Sequence, residues 1–528
     1  MSIIVSNISI GLDEPFEKAA ELGMARLGLR ASDILESYPV KVSVDARRKE
    51  RIRLVYAVGY ELHCGEERVR EAPGVSKQSP AGLSPVLGKE PIPARPVIAG
   101  FGPAGMFAAL VLSQYGYRPL VLERGASVEK RVGAVEGFWR GGALDPRTNV
   151  QFGEGGAGTF SDGKLTTRIH DPRCGYVMEQ MVRFGLPKEA ARRAKPHIGT
   201  DRLRELVRSL REEVVRRGGE VRFLTQMTDF KADASGRGWV EAEGERLPAP
   251  ALILAVGHSA RDTFRLVMEK GAAVQPKPFS VGVRVEHLQS DIDRGLFGEC
   301  AGHPALGRGE YQLSHREGER GVYTFCMCPG GVVVPAASEE GGLVTNGMSE
   351  YARDGKNANS ALVVSVGPED YGSSPWDGVA FQMELERRAF RMGGGAFCAP
   401  AQTAGLFLEG KPGLTLGRVE PSYALGTSPC NLEELFPPQV TRMLREGLRR
   451  FGRKLPGFAA ADTVLTGAET RTSSPLRILR GDTLEAVGLP GLYPCGEGAG
   501  YAGGIVSAAV DGVRAAEAVM ARWAPPKD

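Results

Sequence analysis

The sequence predicts an α/β fold, α+β overall. A parallel-sheet unit assembled from discontinuous segments surrounds a mostly antiparallel β insertion and follows a small α/β unit. Three observations carry this. A glycine turn, Gly100-Phe-Gly102-Pro103-Ala104-Gly105, joins an apolar strand to an apolar helix and a second strand. A second glycine-rich strand-to-helix passage, Cys495–Gly504, comes about 390 residues later. Between them lies a long stretch, near 277–450, of strands and turns. At 528 residues the chain has room for about three such units.

In chain order, Ser2–Ile10 is strand-like and Pro15–Leu27 has helical apolar spacing. Val40–Asp45 and Arg51–Leu62 alternate as strands, and the turn Ala46–Glu50 between them predicts a hairpin. Residues 70–93, rich in Pro, Gly and Ser, read as a linker. Pro96–Ala99, Met106–Tyr115 and Pro119–Glu123 form a βαβ unit. Asp201–Arg217 reads as a helix, Glu220–Leu224 as a strand, 227–247 as a short meander and Ala251–Val256 as a buried strand. One helix is expected near 379–392, a last strand at Leu492–Cys495 and a closing helix at Gly504–Trp523. The expected units are 1–69, then 94–275 joined with 455–524, and the insertion 276–454.

Bulk numbers narrow the function. Lys+Arg 66 against Asp+Glu 63 leaves net +3, which argues against a DNA partner held by charge. The basic stretches 202–217 and 442–454 carry apolar residues at helical spacing and read as solvated helix faces. The first residues show no signal-peptide pattern, and no stretch reads as a membrane span. Eight scattered cysteines without a CxxC, and seven dispersed histidines, predict no metal site and suit a reducing cytoplasm. Glycine is the outlier, at 70 residues without a collagen period. Its clusters are where function is expected.

The first cluster is G-x-G-x-x-G in a Rossmann-type context. Gly100 allows the tight turn, Gly102 lets backbone approach a pyrophosphate, and Gly105 lets helix and strand pack closely. The helix N-terminus, with Pro103 and Ala104, offers free N–H groups to phosphate. Glu123, ending the next strand, can accept adenosine ribose hydroxyls, and the following Arg124 and Arg131 are candidates for reaching phosphate. A second glycine-rich helix start far downstream suits an extended FAD better than NAD. There Glu497 is placed to bind a ribityl hydroxyl, and the helix beginning near Gly504 and Ile505 aims its dipole at the flavin ring.

GFGPAG with VLERG, ALILAVGHSARD (251–262) and CGEGAGYAGGIVSAAVDG (495–512) resemble the FAD-binding superfamily of glutathione-reductase type. Many of its members carry Asp where this chain has Glu497. More narrowly, NVQFGEGGAGTFSDGKL (149–165), TFCMCPGG (324–331), NGMSEYARDGKNANSA (346–361) and TGAETRTSSPLRI (466–478), together with SVDARRKERI, are similar to a family of bacterial FAD-dependent dehydrogenases over essentially the whole chain. The resemblance implies FAD as cofactor, with Gly257, Gly496, Glu497, Gly504 and Ile505 among the residues that hold it. It implies hydride chemistry at flavin N5.

Gly158–Lys164 matches a P-loop by letters, but Leu165 stands where magnesium needs Ser or Thr, and no buried strand precedes it. In the flavoprotein reading this loop packs beside the ring, with Gly156 and Gly158 admitting close backbone. Asp162, Lys164 and Arg168 then face the ring or substrate, or form ordinary ion pairs. Cys326-Met-Cys328 reads as two packed small residues, too close for an easy disulfide. Asn346, Ser349, Arg353, Asn357 and Asn359 line a pocket or satisfy one another. Arg471, Ser473, Ser474 and Arg477 suit an anionic group. His258 reads as a cap before a catalyst.

The expected function is therefore a cytoplasmic FAD-dependent oxidoreductase acting on a small, anionic substrate. Asp162, Lys164, Arg353 and Glu497 are its candidate catalytic residues. No second G-x-G-x-x-G is present for NAD(P)H, which enters only as a transient electron donor. Three alternatives stand beside it: a flavin monooxygenase, an alkene reductase, and an FAD-binding sensor that contacts RNA or protein through residues 1–65 and the basic tip Arg47, Arg48, Lys49 and Arg51.

Overall fold

Apolar strands buried on both faces and short glycine-permitted crossings shape the central layer. The computed structural model of the protein describes residues 2–63, 69, 73–77 and 82–527. Cys64 and the linker residues 70–72 and 78–81 lie outside the described residues.

The N-terminal unit is a four-stranded sheet in the order Ile34–Asp45, Arg53–Leu62, Ser2–Ile10, Val75–Lys77, with every pairing antiparallel. The expected hairpin forms, but its first strand starts at Ile34, earlier than alternation alone indicated. The helix Phe16–Leu27 buries Ala19, Gly23 and Leu27. A Cβ on Gly23 would lie 2.2 Å from the Tyr60 hydroxyl, so glycine is what allows the helix to seat on the sheet.

Five parallel strands form the second layer, in the order Leu492–Pro494, Leu252–Leu254, Val97–Ala99, Leu120–Leu122, Glu220–Arg222. The first four are wholly buried, as parallel strands covered on both faces require. The helix Pro103–Gln114 is apolar all round and buried from Ala104 to Ser113. It packs against the closing helix Ile505–Arg522, where a Cβ on Gly512 would come 2.0 Å from the Ala104 carbonyl oxygen. Helices Val128–Trp139 and Arg173–Arg183 also belong here, and no sequence signal had marked them.

The insertion is built on a seven-stranded sheet: Ser314–Glu317, Arg320–Cys328, Asn357–Val366, Phe279–Leu288, Val464–Glu469, Ala399–Thr403, Thr427–Pro429. Its pairings are antiparallel except the last, which is parallel. Val464–Glu469 lies beyond the expected boundary at 454. Its pairing with Phe279–Leu288 nevertheless puts it in the insertion's sheet. Six buried residues in a row look alike in a parallel core strand and an inner antiparallel one, so pattern could not separate them. The basic stretch at 442–454 is the outer face of helix Pro438–Lys454, which buries Val440, Met443, Leu444, Leu448 and Phe451 against this sheet. No helix among the described residues is long and apolar enough to cross a membrane.

Gly512→Ala should destabilise the protein by about 1–3 kcal/mol, because backbone must move to admit the methyl group. Gly133 in helix Val128–Trp139 has nothing within 4 Å of a built Cβ. Gly133→Ala should therefore stabilise by about 0.5–1 kcal/mol. Urea unfolding followed by circular dichroism reads both.

Candidate functional site

The C-terminal ends of Val97–Ala99, Leu252–Leu254 and Leu492–Pro494 open into one cleft of about 340 Å³. This is where an open α/β sheet binds ligands. Three turns meet there. Gly100 has φ +97°, and a Cβ on it would lie 2.5 Å from the Ala255 carbonyl oxygen. A Cβ on Gly105 would lie 2.0 Å from the Gly100 oxygen, so Gly105 works behind the turn and does not line the cleft. A Cβ on Gly498 would lie 2.4 Å from the Gly257 oxygen. Gly100, Gly102, Pro103 and Ala104 line the cleft, as do Gly257, Gly496, Gly504 and Ile505. Helices Pro103–Gln114 and Ile505–Arg522 both start at its wall, and neither has a side-chain cap. Their first N–H groups are left for a ligand.

Glu123 sits at the wall and is buried. Its carboxylate accepts from the backbone N–H of Phe101 (2.8 Å), Gly125 (2.9 Å) and Gly153 (3.1 Å). It therefore ties three segments together besides facing the cleft. Arg124 lines the cleft, donates to Asp262 at 3.0 Å and lies over the Phe152 ring at 4.3 Å. Arg131, expected near phosphate, is placed elsewhere. It is wholly buried, and its guanidinium donates to the carbonyls of Asn149, Val150, Gly153, Glu154 and Gly156 at 2.6–3.2 Å. It shapes the loop that carries Gly156 and Gly158, both of which line the cleft.

Of the four candidate catalytic residues, Lys164 and Glu497 face the cleft, and Asp162 and Arg353 stand behind it. Asp162 is fully buried and accepts from Lys164 Nζ at 2.7 Å, Arg353 Nε at 2.8 Å and the Ser349 hydroxyl. Burial alone would raise its carboxyl, but Lys164 and Arg353 outweigh burial and hold it well below the usual range. Glu310 completes the network, paired with Arg353 and 3.6 Å from Lys164. The sequence offered no signal for Glu310, which lies in a loop without periodicity. Arg168 is exposed and outside the cleft lining.

Burial pushes the Glu497 carboxyl up to about 7 against the pull of Lys277. Burial holds Lys277 below the ordinary lysine range against the pull of Glu497. Lys277, between two prolines, also went unmarked. The polar patch after Thr345 is held by partners outside it and not by its own members: Asn346 and Asn359 accept from Arg284 at 2.8 and 3.1 Å, and Asn357 donates to Glu286 at 2.8 Å. Only Asn346 of that patch reaches the cleft. Arg471 also lines it, but donates to Glu386 at 2.9 Å and to Ser338. His258 lies alongside, and burial, with Arg471 and Arg261, pushes its imidazole down to about 3, so it is neutral at pH 7.

With the geometry established, comparison identifies the lineage. Residues 278–472 match the family model "FAD-dependent protein, C-terminal domain-like". An uncharacterized protein of Clostridium beijerinckii is 44% identical over 535 residues, covering 100% of both chains. The chain belongs to this family. Its cofactor is FAD. Among solved structures, CtdE in complex with FAD is 12% identical, over 81% of this chain and 82% of that one, with a TM-score of 0.30. NikD, an unusual amino acid oxidase, is 14% identical over 81% and 96%, with a TM-score of 0.32. At these scores neither bears on the chemistry of this chain.

The residues present fit FAD. Two uncapped helix starts flank one cleft, and built Cβ atoms on Gly257 and Gly503 meet nothing within 4 Å, so backbone is open to a ligand on both sides. Among the described residues no hydrogen bond is donated to the Glu497 carboxylate. That leaves it for the cofactor or the substrate.

Asp162→Asn should destabilise at pH 7 by about 3–5 kcal/mol, since Lys164 and Arg353 lose their shared counter-charge. The Asp162 carboxyl is depressed on folding, so its contribution is complete above about pH 4 and shrinks as pH falls below that. Urea midpoints of wild type and variant should therefore converge on acidification.

Proposed function

We infer that the protein is an FAD-dependent oxidoreductase of the dehydrogenase or reductase kind, acting on a small anionic substrate. The supporting observation is that Glu497 and Lys164 line the same cleft as Gly156, Gly158 and Gly503–Ile505. FAD, when bound, supplies a two-electron centre that accepts or delivers hydride at N5.

The chain's own groups do the rest. The starts of helices Pro103–Gln114 and Ile505–Arg522 bind phosphate and the polar edge of the ring through N–H groups and dipole. Glu123 holds the first turn against the loop at Gly153. Lys164 is kept charged: burial alone would lower it, but Asp162 and Glu310 outweigh burial and raise it. Its Nζ is oriented by Asp162 at 2.7 Å and presents a cation to an anionic substrate. The Glu497 carboxyl, held near 7, carries a proton about half the time at neutral pH and can give or take one there. NAD(P)H is the transient electron donor of this reading.

Contact of residues 1–65 with RNA or protein is a separate proposal. The basic tip is exposed, but Arg47 is engaged by Asp45 at 2.6 Å, and neighbouring Ile52 packs against Phe297 and Leu306 of the insertion.

Purified protein should be yellow. Anaerobic mixing with NADH, NADPH and metabolite pools should bleach the visible flavin band with at least one of them. Isolation without flavin and no uptake of added FAD would refute the reading, as would a bound flavin that no donor reduces. Glu497→Gln should slow flavin reduction about 10- to 100-fold. It should also remove an inflection expected near pH 7 in the wild-type rate profile. Lys164→Gln should raise KM for the substrate more than it lowers kcat.

A further inference from the structure

The strand Arg320–Cys328 pairs regularly with Asn357–Val366 until Phe325, opposite Ala361. Pairing resumes at Cys328 opposite Asn359, so one extra residue is accommodated in between, which is a bulge. Cys326 stands in it with φ +44°, a left-handed conformation uncommon for a residue with a side chain. In a straight strand, residues i and i+2 have Cα atoms roughly 6.6 Å apart, at the outer limit of disulfide reach. The bulge interrupts that straight geometry between the two cysteines.

The same bulge divides their surroundings. Cys326 lines the cleft with Lys164 and Glu497 and interacts electrostatically with both, whereas Cys328 is buried outside its lining. Both are free thiols, and the Cys328 sulfur lies 3.4 Å from the Cys326 carbonyl oxygen. Arg284 donates to that carbonyl at 2.9 Å and is itself fixed by Glu469 at 2.9 Å. The neighbouring Cys328, with Arg284 and Lys164, holds the Cys326 thiol below the ordinary thiol range against burial. Cys326 and burial push the Cys328 thiol up. An accessible, thiolate-prone sulfur backed by a protonated partner is the arrangement that thiol–disulfide chemistry needs.

We propose that Cys326 and Cys328 form a redox-active dithiol that exchanges two electrons with the flavin. On oxidation two S–H bonds break and one S–S bond forms. The oxidised flavin takes the two electrons and two protons and becomes dihydroflavin; the reverse reaction restores both thiols. The proposal rests on the functional reading above, with the flavin ring beside Lys164 and Glu497.

The test uses the FAD-loaded protein, oxidised with diamide, freed of reagent and titrated anaerobically with dithionite. Wild type should take up four electrons per flavin, and Cys326→Ser and Cys328→Ser two each. Samples quenched in acid, unfolded and alkylated should show both sulfurs protected before titration and both modified after it. Half-reduced wild type should also show a long-wavelength thiolate–flavin band that Cys326→Ser lacks. Uptake of only two electrons by wild type, with both sulfurs modified after diamide, overturns the dithiol. If a serine variant loses FAD, the wild-type electron count and alkylation pattern decide alone. Failure of wild type to bind FAD refutes the functional reading, whereas FAD bound beside two unprotected sulfurs refutes only this proposal.

Discussion

Everything at the site depends on two helices, far apart in the chain, starting at the same cleft. They do so because Gly512 brings Ile505–Arg522 against Pro103–Gln114 at backbone distance. Gly105 likewise seats its helix on the Gly100 turn. Each close approach costs conformational entropy in the unfolded chain and leaves no side chain to pack. In exchange, two sets of unpartnered N–H groups and two dipole ends face one ligand. A side chain at any of these contacts would move a helix start, and with it a fixed positive potential supplied by backbone alone.

The second constraint joins the layers. Asp162 comes from the loop after the first βαβ unit, Arg353 and Ser349 from the insertion, and Glu310 from another loop of the insertion. Because Asp162 is fully buried, it has no water to fall back on, and its partners must stay in register. A parallel arrangement lies nearby: Glu386 of helix Asp377–Met392 is clamped by Arg261 and Arg471. These charges bridge the parallel sheet and the insertion on either side of the cleft, so its width is set by ion pairs as well as by apolar packing.

The sequence made the cofactor part legible because each glycine there answers a steric demand within a few residues of itself. The turn at Gly100–Gly105, the acid Glu123 and the start at Gly504 need only local context. Arg131 was misread for the opposite reason. Its charge suggested phosphate, but a guanidinium can also be spent wholly on five carbonyls of a neighbouring loop, and nothing local distinguishes the two uses. Glu310 and Lys277 were invisible because their meaning lies in partners 146 and 220 positions away: Glu310 against Lys164, Lys277 against Glu497. The bulge at Cys326 is not legible in the sequence, because a bulge leaves little trace in composition. The boundary at 454 failed on the same ground, since Val464–Glu469 is placed by its neighbours in the sheet and not by its own pattern.

The strand order has a consequence for biosynthesis. Leu492–Pro494 is an edge strand beside Leu252–Leu254, and with helix Ile505–Arg522 it leaves the ribosome long after that strand. Until then Leu252–Leu254 presents an apolar, unpaired edge, and the groove that the closing helix fills stands open along Pro103–Gln114. The insertion emerges complete during that wait and draws on its own buried cluster. Folding is therefore expected to run from the middle outward. The nascent chain stays exposed to edge-to-edge association over roughly the time needed to translate half the protein. Cofactor cannot be gripped from both sides before helix Ile505–Arg522 emerges, which makes flavin capture a late step of maturation and not an early scaffold for it.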